Sequence, residues 1–524
     1  MSATTTLRST RTSHDLPRPP LDQETDTVYR RRWLTLGVLS LSLLVIVVDT
    51  TIVNVAIPTL SAQLHAGATA LEWIIDSYTL VFAALLLPAG NLGDRYGRHR
   101  ALAVGMAVFG AASLGAALSS SAAELIAWRA VMGAGAALVT PATMAILTSV
   151  FTDAAERAKA IGIWSAMSGL GVAIGPTAGG WLLAHYSWSA IFAVNLPIVA
   201  LAMIGGRFLV PPSMAPHRTR FDLVGIVLAV FAFGMLTYAV IEAGSAGWTS
   251  APTLVRGAVS AALLVAFAAW ERHTDHPMVD LSLFRNPGFT AASAAIMILF
   301  FGLAGATFVL TQILQFVLGY SPLAAGVRSL PAALALAVGA PVGTRLAGRF
   351  GIRVTVTAGL ITAAAGLGVF ALATGQSGYV HYLIASTIMT AGIGLTMAPA
   401  TQSIMASLPP AKAGIGSAVN NATRNLGTVL GVAIVGSIAA TIYRHDMAAT
   451  NGVPAIARDS VGAAAQIAQR LQGTHAAGAA HTLQAMAADA FVHGAALGTL
   501  IAAAVALVTA AATARFLPAR AASA

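Results

Sequence analysis

Three charged side chains lie inside long apolar stretches of the sequence. Asp49 interrupts LLVIVVDTTIVNVAIPTL (43–60), Asp76 lies in WIIDSYTL (73–80), and Arg129 opens RAVMGAGAA (129–137). Burial favours the neutral form of a carboxylate, whereas a nearby arginine favours its charged form. These side chains therefore have the chemistry of a group that binds and releases a proton. The alternative is that Asp49 is structural, hydrogen-bonded to its own helix and to Arg129.

The composition indicates that these residues lie in a lipid bilayer rather than in a water-soluble domain. Of the 524 residues, 57% are hydrophobic and only 9% are charged, whereas soluble domains carry roughly a quarter of their residues as charges. The apolar residues come in blocks of about 20 or more, the length that crosses a bilayer as a helix. We predict an all-α polytopic membrane protein with transmembrane helices near 33–58, 71–92, 100–119, 122–147, 160–184, 188–210, 222–243, 252–270, 289–317, 324–346, 353–374, 379–405, 414–442 and 491–514.

The basic residues predict the orientation of these fourteen helices. An even number places both termini on one side, and most of the 29 Lys and Arg residues fall on that side, which indicates cytoplasmic termini in a cell (cytoplasmic) membrane. The net charge of +10 then reflects the basic residues of the cytoplasmic segments, and no nucleic-acid partner is expected. Because the chain has no cysteine, disulfides, thiolate metal sites and cysteine nucleophiles are excluded.

Helix direction then places the three charged residues at similar depth. The first predicted helix runs outward, while the second and fourth start outside. At about 1.5 Å per residue, Asp49, Asp76 and Arg129 all fall in the outer half, within about two helical turns of one another. We therefore predict that they form one proton-coupling group.

A weak internal repeat predicts the organisation of the chain. LGDRYGRHR (92–100) follows the second predicted helix, and LAGRFGIR (346–353) follows the tenth. Two parallel six-helix halves with two inserted helices explain this spacing, and such halves bind substrate between them near the midplane of the membrane. We expect a disordered tail (1–29), an N-terminal bundle (30–215), two inserted helices (216–275) and a C-terminal bundle (276–524). The long outer segment 443–490 is expected to contain a surface helix within 460–472.

Two glycine-rich motifs indicate where helices approach closely. GNLGDRYGRHR (90–100) combines glycines for a tight turn with charges that bridge helix ends. GVAIGPTAGG (171–180) repeats glycine every fourth residue on one helix face, where backbones can meet, and its proline removes a helix hydrogen bond. The candidate gating residues in these motifs are Gly90, Gly93, Asp94, Arg95, Gly97, Arg98, Gly171, Gly175, Pro176, Gly179 and Gly180.

These motifs resemble those of the major facilitator superfamily, and within it the fourteen-helix drug:proton antiporter branch. The loop motif is similar to the superfamily signature, and the helix-five motif is similar to the antiporter motif. The resemblance continues through IFAVNLPI (191–198), LGYSPLAAGVRSLP (318–331) and GSAVNNATRNLG (416–427). It departs at Met132, where the family commonly has Gln. Within the chain itself, the second-half loop has Gly348 where the first has Asp94.

The resemblance implies a proton-coupled antiporter that exports amphipathic or lipophilic small molecules, such as drugs, antibiotics or metabolites, by alternating access. No cofactor is implied, because the proton gradient supplies the energy. The implied partners are a small-molecule substrate, protons and the lipid bilayer, and the protein is expected to be a monomer.

Further polar residues could line a substrate cavity: Asn54, Trp73, Tyr78, Gln312, Gln315, Asn420, Asn421 and Arg424. Hydrogen bonds between packed helices are an equally good reading for the amides. The two aromatic residues could instead be anchors at the membrane interface, where Trp and Tyr are enriched.

Other functional classes fit the sequence less well. An intramembrane enzyme would need a nucleophile or metal motif, and neither G-x-S-x-G nor a histidine pair within a span is present. An ATP-driven pump would need Gly-Lys before Ser or Thr, but Lys159 and Lys412 both follow Ala. A uniporter or importer, or a non-transporting receptor on the same fold, remains the alternative.

Overall fold

The computed structural model describes residues 23–213, 222–274, 281–407, 413–450, 453–472 and 477–519. Most of the expected tail (1–22) therefore lies outside the described residues. The described chain forms α1 (Gln23–Gln63), α2 (Ala68–Tyr96), α3 (Arg98–Ala117), α4 (Ala122–Val150), α5 (Ala154–His185), α6 (Ala190–Ala193), α7 (Asn195–Leu209), α8 (Leu223–Ala246), α9 (Ala251–His273), α10 (Pro287–Gln312), α11 (Pro322–Arg328), α12 (Leu330–Phe350), α13 (Ile352–Ala371), α14 (Tyr379–Ala406), α15 (Ala413–Ala448), α16 (Val461–Gln472) and α17 (Ala477–Phe516). Short 3₁₀ turns at Leu281–Arg285 and Ala455–Arg458 and a π-helical turn at Ile313–Val317 join some of them.

The helices account for the predicted spans one by one. Within the described residues, 13 helices or joined helix pairs are long and apolar enough to cross a membrane. The fourteenth long helix, α5, has 32 residues and corresponds to the predicted span 160–184. The all-α membrane fold is therefore confirmed, with α6–α7 and α11–α12 each replacing one predicted helix.

Side chains fix where several helices begin. The Ser121 hydroxyl accepts a hydrogen bond from Glu124 N (3.3 Å) at the start of α4. Asn286 accepts from Gly288 N (2.9 Å) before α10, where Pro287 occupies the first position. Such caps satisfy amide groups that have no partner within the helix.

The helices pack in two groups. In the N-terminal group (α1–α7), α4 packs against α2 and α3, and α1 packs against α5 and α7. In the C-terminal group (α10–α15 and α17), α14 packs against α12 and α13, and α10 packs against α15 and α17. We call the side that carries the α1–α2 connection the α1–α2 side, and the opposite side the α2–α3 side.

The internal repeat is visible in the backbone. Gly97 alone separates α2 from α3, and Gly351 alone separates α12 from α13. Both have positive φ angles, +108° and +89°, which glycine adopts without the steric cost that other residues meet. The repeated motif therefore makes the same one-residue turn in each group.

The inserted helices connect the groups. α8 and α9 pack against each other, and α8 also packs against α2 of the N-terminal group and α15 of the C-terminal group.

Three boundaries differ from the sequence expectation or sharpen it. The predicted surface helix is present as α16, which packs against α1 and α17. α15 extends to Ala448, so Arg444 lies within this helix and not in the outer segment. α1 begins at Gln23, so the last seven residues of the expected disordered tail are helical.

Candidate transport site

The buried centre of the N-terminal group is an ion pair between α1 and α4. Arg129 Nη1 donates a hydrogen bond to Asp49 Oδ2 at 2.6 Å. The two residues are 1% and 0% exposed, so no solvent screens the pair. A charge that is buried without a partner is costly, which makes each residue dependent on the other.

A third residue, Asn195 at the start of α7, completes the partners of Asp49. Its Nδ2 donates to Asp49 Oδ1 at 2.9 Å and to Ser113 Oγ on α3 at 3.0 Å. Ser113 in turn donates to Phe192 O at 2.9 Å. Both carboxylate oxygens of Asp49 are therefore hydrogen-bonded, an arrangement that suits the ionised form. Sequence reasoning missed Asn195, whose role appears only when α1, α3 and α7 meet.

α2 holds the guanidinium from the other side. Arg129 Nε donates to Ile74 O at 3.1 Å, and the guanidinium carbon lies 4.3 Å from the centre of the Tyr78 ring. Ile74 and Tyr78 are one helical turn apart and face the same way. Tyr78 therefore belongs to the ion-pair site, where its ring faces a cation of the protein itself.

Asp76 is not part of this cluster, although the sequence placed it there. It is fully buried, and neither of its carboxylate oxygens has a hydrogen-bond partner among the described residues. The reason is the direction of the side chain. Asp76 lies two residues from both Ile74 and Tyr78, about 200° around the helix, so it faces away from Arg129. Similar depth in the membrane was enough to predict the contact between Asp49 and Arg129. It does not predict which face of α2 carries Asp76.

Asp76 instead shares its face with an acid that sequence reasoning did not single out. Glu72 precedes it by one turn on α2 and is 1% exposed. Its Oε2 lies 3.3 Å from Ser437 Oγ on α15. Two acids four residues apart in the first half of an apolar helix are the signal in the sequence that could have identified this pair.

The glycine motif of α5 packs on two neighbours. A side chain at Gly171, Gly175 or Gly179 would collide with α1; for example, a Cβ at Gly171 would lie 2.7 Å from Val47 Cγ1. The close approach expected of this face is therefore present, and α1, which carries Asp49, is the neighbour. Gly180 faces α11 instead, where a Cβ would lie 2.5 Å from Leu323 Cα.

Several contacts join the two helix groups on the α1–α2 side. Besides Gly180 on Leu323, Gly326 of α11 packs against the Pro176 carbonyl. Gln315 Nε2, in the π-helical turn, donates to Val55 O of α1 at 2.9 Å. The described packing between the groups is thus tight at this end of the bundle.

The signature loop links helix ends on the α2–α3 side. Arg98 Nε donates to Asp94 Oδ1 at 2.7 Å, and its Nη1 donates to Ala145 O of α4 at 3.2 Å. Gly90 and Gly93 lie close to Pro141 and Ala101, and Arg95 lies 5.4 Å from the Tyr96 ring. In the second group the corresponding Arg349 lies over Phe350, and Gly348 has no side chain to form the matching ion pair.

The remaining cavity candidates are spread over the bundle. Trp73 pairs with Tyr238 of α8 at 6.0 Å, away from Tyr78. Asn54 and Gln312 bond weakly to their own helices, each at 3.4 Å. On α15, the Asn420 Oδ1 is buried without a partner among the described residues, and Arg424 lies 4.6 Å from the Phe300 ring. Asn421 is half-buried on the same helix.

A cavity of about 500 Å³ lies elsewhere, at the α2–α3 ends of the C-terminal group near Asn286, Arg353 and Arg515. It contains none of the candidate cavity residues. In the part of the chain that the structure describes, no three His, Asp or Glu residues are grouped to hold a metal ion.

Two packed helix groups with buried ionisable residues are an arrangement typical of membrane transporters. The family model of the Major Facilitator Superfamily matches residues 39–432, and the chain belongs to this superfamily. The fold agrees with this: a bacterial homologue of the human lysosomal transporter Spinster, in an inward-facing and unoccupied conformation, superposes with a TM-score of 0.64 at 17% identity, over 93% of this chain and 98% of that one.

Closer relatives are resistance proteins. The multidrug resistance protein Stp of Mycobacterium tuberculosis (strain CDC 1551 / Oshkosh) is 37% identical over 411 residues, which cover 78% of this chain and 76% of the relative. The methyl viologen resistance protein SmvA of Salmonella typhimurium (strain 14028s / SGSC 2262) is 35% identical over 455 residues, covering 85% and 90%. The chain is therefore a small-molecule transporter of the multidrug-efflux branch and not an enzyme.

Proposed function

We propose that this protein exports amphipathic or lipophilic small molecules across the cytoplasmic membrane in exchange for protons, and that Asp49 is the carboxylate that carries the proton. The observation that carries the proposal is the fully buried network of Asp49, Arg129 and Asn195. The relatives' names, which refer to multidrug and methyl viologen resistance, support export of such compounds.

The network suggests how a proton alters the protein. When Asp49 is ionised, the ion pair and the Asn195 bond hold α1, α4 and α7 together. A proton on Asp49 removes the charge that balances Arg129, and a buried guanidinium without a counter-charge is costly. The helices then rearrange, or a substrate group replaces the lost interaction. Proton binding and substrate binding thus compete for the same contacts.

The glycine motif provides a route from Asp49 to the interface between the groups. α5 lies directly on the segment of α1 around Asp49, from Val47 to Ile52, and its Gly180 and Pro176 contact α11 of the other group. A shift of α1 would therefore move the contact between α5 and α11. In the proposed orientation, with both termini cytoplasmic, this contact closes the outer side, and the Asp94–Arg98 loop lies on the cytoplasmic side.

The substrate would bind between the N-terminal bundle (30–215) and the C-terminal bundle (276–524), with the two inserted helices (216–275) beside them. We place Asn420, Asn421 and Arg424 of α15 and Gln312 of α10 in that cavity, because these polar groups lie within apolar helices and the described structure satisfies them poorly. Asp76 is a second site for a proton or a cationic substrate group, since a change in its charge breaks no existing hydrogen bond. The protein acts as a monomer without a bound cofactor.

Transport in inside-out membrane vesicles tests this function. Methyl viologen, and a panel of neutral and anionic lipophilic compounds beside it, should accumulate when the lumen is acidic. Accumulation should stop when an uncoupler collapses the gradient. Uptake driven by ATP and unaffected by the uncoupler would contradict the proposal, and equilibration without accumulation would indicate a uniporter.

A further inference from the structure

Glu72 has no part in the ion-pair site, yet it is a buried acid at the junction of three structural units. It lies on α2 of the N-terminal group, against α15 of the C-terminal group, with the inserted helix α8 beside both. Its Oε1 lies over Gly436, where a Cβ would come within 2.7 Å of it. The carboxyl group is therefore seated directly on the backbone of α15, at a residue that has no side chain to displace it.

The hydrogen bonds of Ser437 indicate whether Glu72 carries a proton. Ser437 Oγ lies 2.9 Å from Val240 O on α8 and 3.3 Å from Glu72 Oε2. A serine hydroxyl donates only one proton, and a backbone carbonyl can only accept. One hydroxyl proton cannot serve Val240 O and Glu72 Oε2 at the same time. Both contacts are therefore hydrogen bonds together only when Glu72 carries a proton and donates it to Ser437 Oγ.

The charges around Glu72 do not replace that proton. The charged groups that act on it are Asp76, one turn away on α2, and Arg444 on α15. Asp459, which follows the 3₁₀ turn, acts on Arg444 as well. Arg444 forms no ion pair with Glu72 among the described contacts, and one of its guanidinium nitrogens is buried without a hydrogen-bond partner. An ionised Glu72 would be a buried charge that draws the Ser437 hydroxyl away from Val240 O, which is costly.

We propose that Glu72 is a proton-binding residue in addition to Asp49 and Asp76, and that its protonated carboxyl donates to Ser437 to hold α2 against α15 and α8 on the α1–α2 side. Loss of the proton leaves one hydroxyl proton on Ser437 for two acceptors, so the contact with either Glu72 or Val240 is lost, and the groups separate there. Protonation of Glu72 thus closes one side of the transporter. The proposal rests on the alternating access of the proposed function, but it requires neither a substrate nor Asp49.

The absence of native cysteine permits a direct test on the full-length protein in lipid nanodiscs. Gln63 of α1 and Ala448 of α15 are exposed and lie on the α1–α2 side, one in each group. Spin labels on a Gln63→Cys/Ala448→Cys variant report the distance between the groups by pulsed electron paramagnetic resonance. Without substrate, the short distance should dominate at acidic pH, and a longer distance should grow as the pH rises.

Substitutions separate Glu72 from other acids. Glu72→Gln should keep the short distance at every pH, because its amide donates to Ser437 as the protonated acid does. Ser437→Ala should show the longer distance even at acidic pH. Glu124→Gln, at an exposed acid on the same side, is the matched control and should behave like the parent. A parent protein without a pH response, or an unchanged response in Glu72→Gln, would overturn the proposal.

Transport assays distinguish this closing contact between Glu72 and Ser437, the latch, from a role of Glu72 in proton coupling. Glu72→Gln should reduce proton-driven efflux and downhill exchange of methyl viologen by the same factor, because the closed side fails to open. Downhill exchange that runs at the parent rate while driven efflux is lost would make Glu72 a coupling residue and refute the latch. If methyl viologen is not carried, the distance measurements alone decide the proposal.

Discussion

Asp49 and Arg129 are 80 residues apart in the sequence, yet their side chains meet at 2.6 Å between α1 and α4. The pair is almost completely buried, with Asn195 and Tyr78 filling the remaining sides. The geometry makes Arg129 and Asp49 a single electrostatic unit, and each of the following predictions concerns that unit or the helices that hold it.

Removal of the cation should destabilise the protein strongly. Arg129→Gln leaves the Asp49 carboxylate buried without its counter-charge, which typically costs about 3–5 kcal/mol. Thermal unfolding in detergent should show a marked loss, and the Asp49→Asn/Arg129→Gln double variant should be less affected than the sum of the single variants. Arg470→Gln, on the exposed face of α16, should unfold like the parent. Equal melting temperatures for Arg129→Gln and Arg470→Gln would contradict the view that Asp49 and Arg129 act as one electrostatic unit.

Removal of the amide partner should have a smaller effect of the same kind. Asn195→Ala leaves Asp49 Oδ1 and Ser113 without a donor, a loss of about 1–3 kcal/mol for buried partners. Asn54→Ala is a suitable control, because that amide makes only a 3.4 Å bond within α1. Asn195→Asp should in addition change the pH profile of efflux, since it places a second carboxyl beside Asp49. Identical melting of Asn195→Ala and Asn54→Ala would show that the network is not cooperative.

The sequence predicted the pairing of Asp49 with Arg129, but not the positions of Asp76 and Asn195 relative to that pair. The directions of the helix faces explain the difference. Depth along the helices correctly paired Asp49 with Arg129, because depth follows from span limits alone. Asp76 has the same depth but faces away from the pair, and the sequence does not state which neighbour each helix face meets. Asn195 could not be singled out, because its two partners lie on helices that are distant in sequence. Glu72 stands in the first turns of α2, where an acid is usual near a helix end.

A bulky residue in the glycine motif should separate α5 from α1. In Gly175→Leu, the new side chain would occupy the position of Thr51 and the Val48 carbonyl, so transport should fall while membrane insertion persists. Gly162→Leu is a matched control on the same helix, since that glycine has open space around it. Efflux and protein amount in membranes give the comparison. Normal efflux by Gly175→Leu would show that this contact does not limit transport.

The turn between α2 and α3 should depend on glycine at one position. Gly97 has φ +108°, so Gly97→Ala introduces backbone strain of about 1–3 kcal/mol and should lower the melting temperature and efflux. Gly348→Ala, with open space and no positive φ, serves as the control. Should Gly97→Ala melt and transport like the control, the turn would tolerate a side chain and the motif would need another explanation.

The number of protons moved per substrate molecule in Asp49 variants tests the central claim most directly. Asp49→Asn preserves the size and a hydrogen-bonding oxygen but removes the titrating charge, so proton flux coupled to substrate should disappear while downhill exchange persists. Asp49→Glu should retain part of the coupling. If Asp49 were only a structural partner of Arg129, Asn would serve nearly as well and Glu would be worse. A wild-type ratio of protons to substrate in Asp49→Asn would contradict the account.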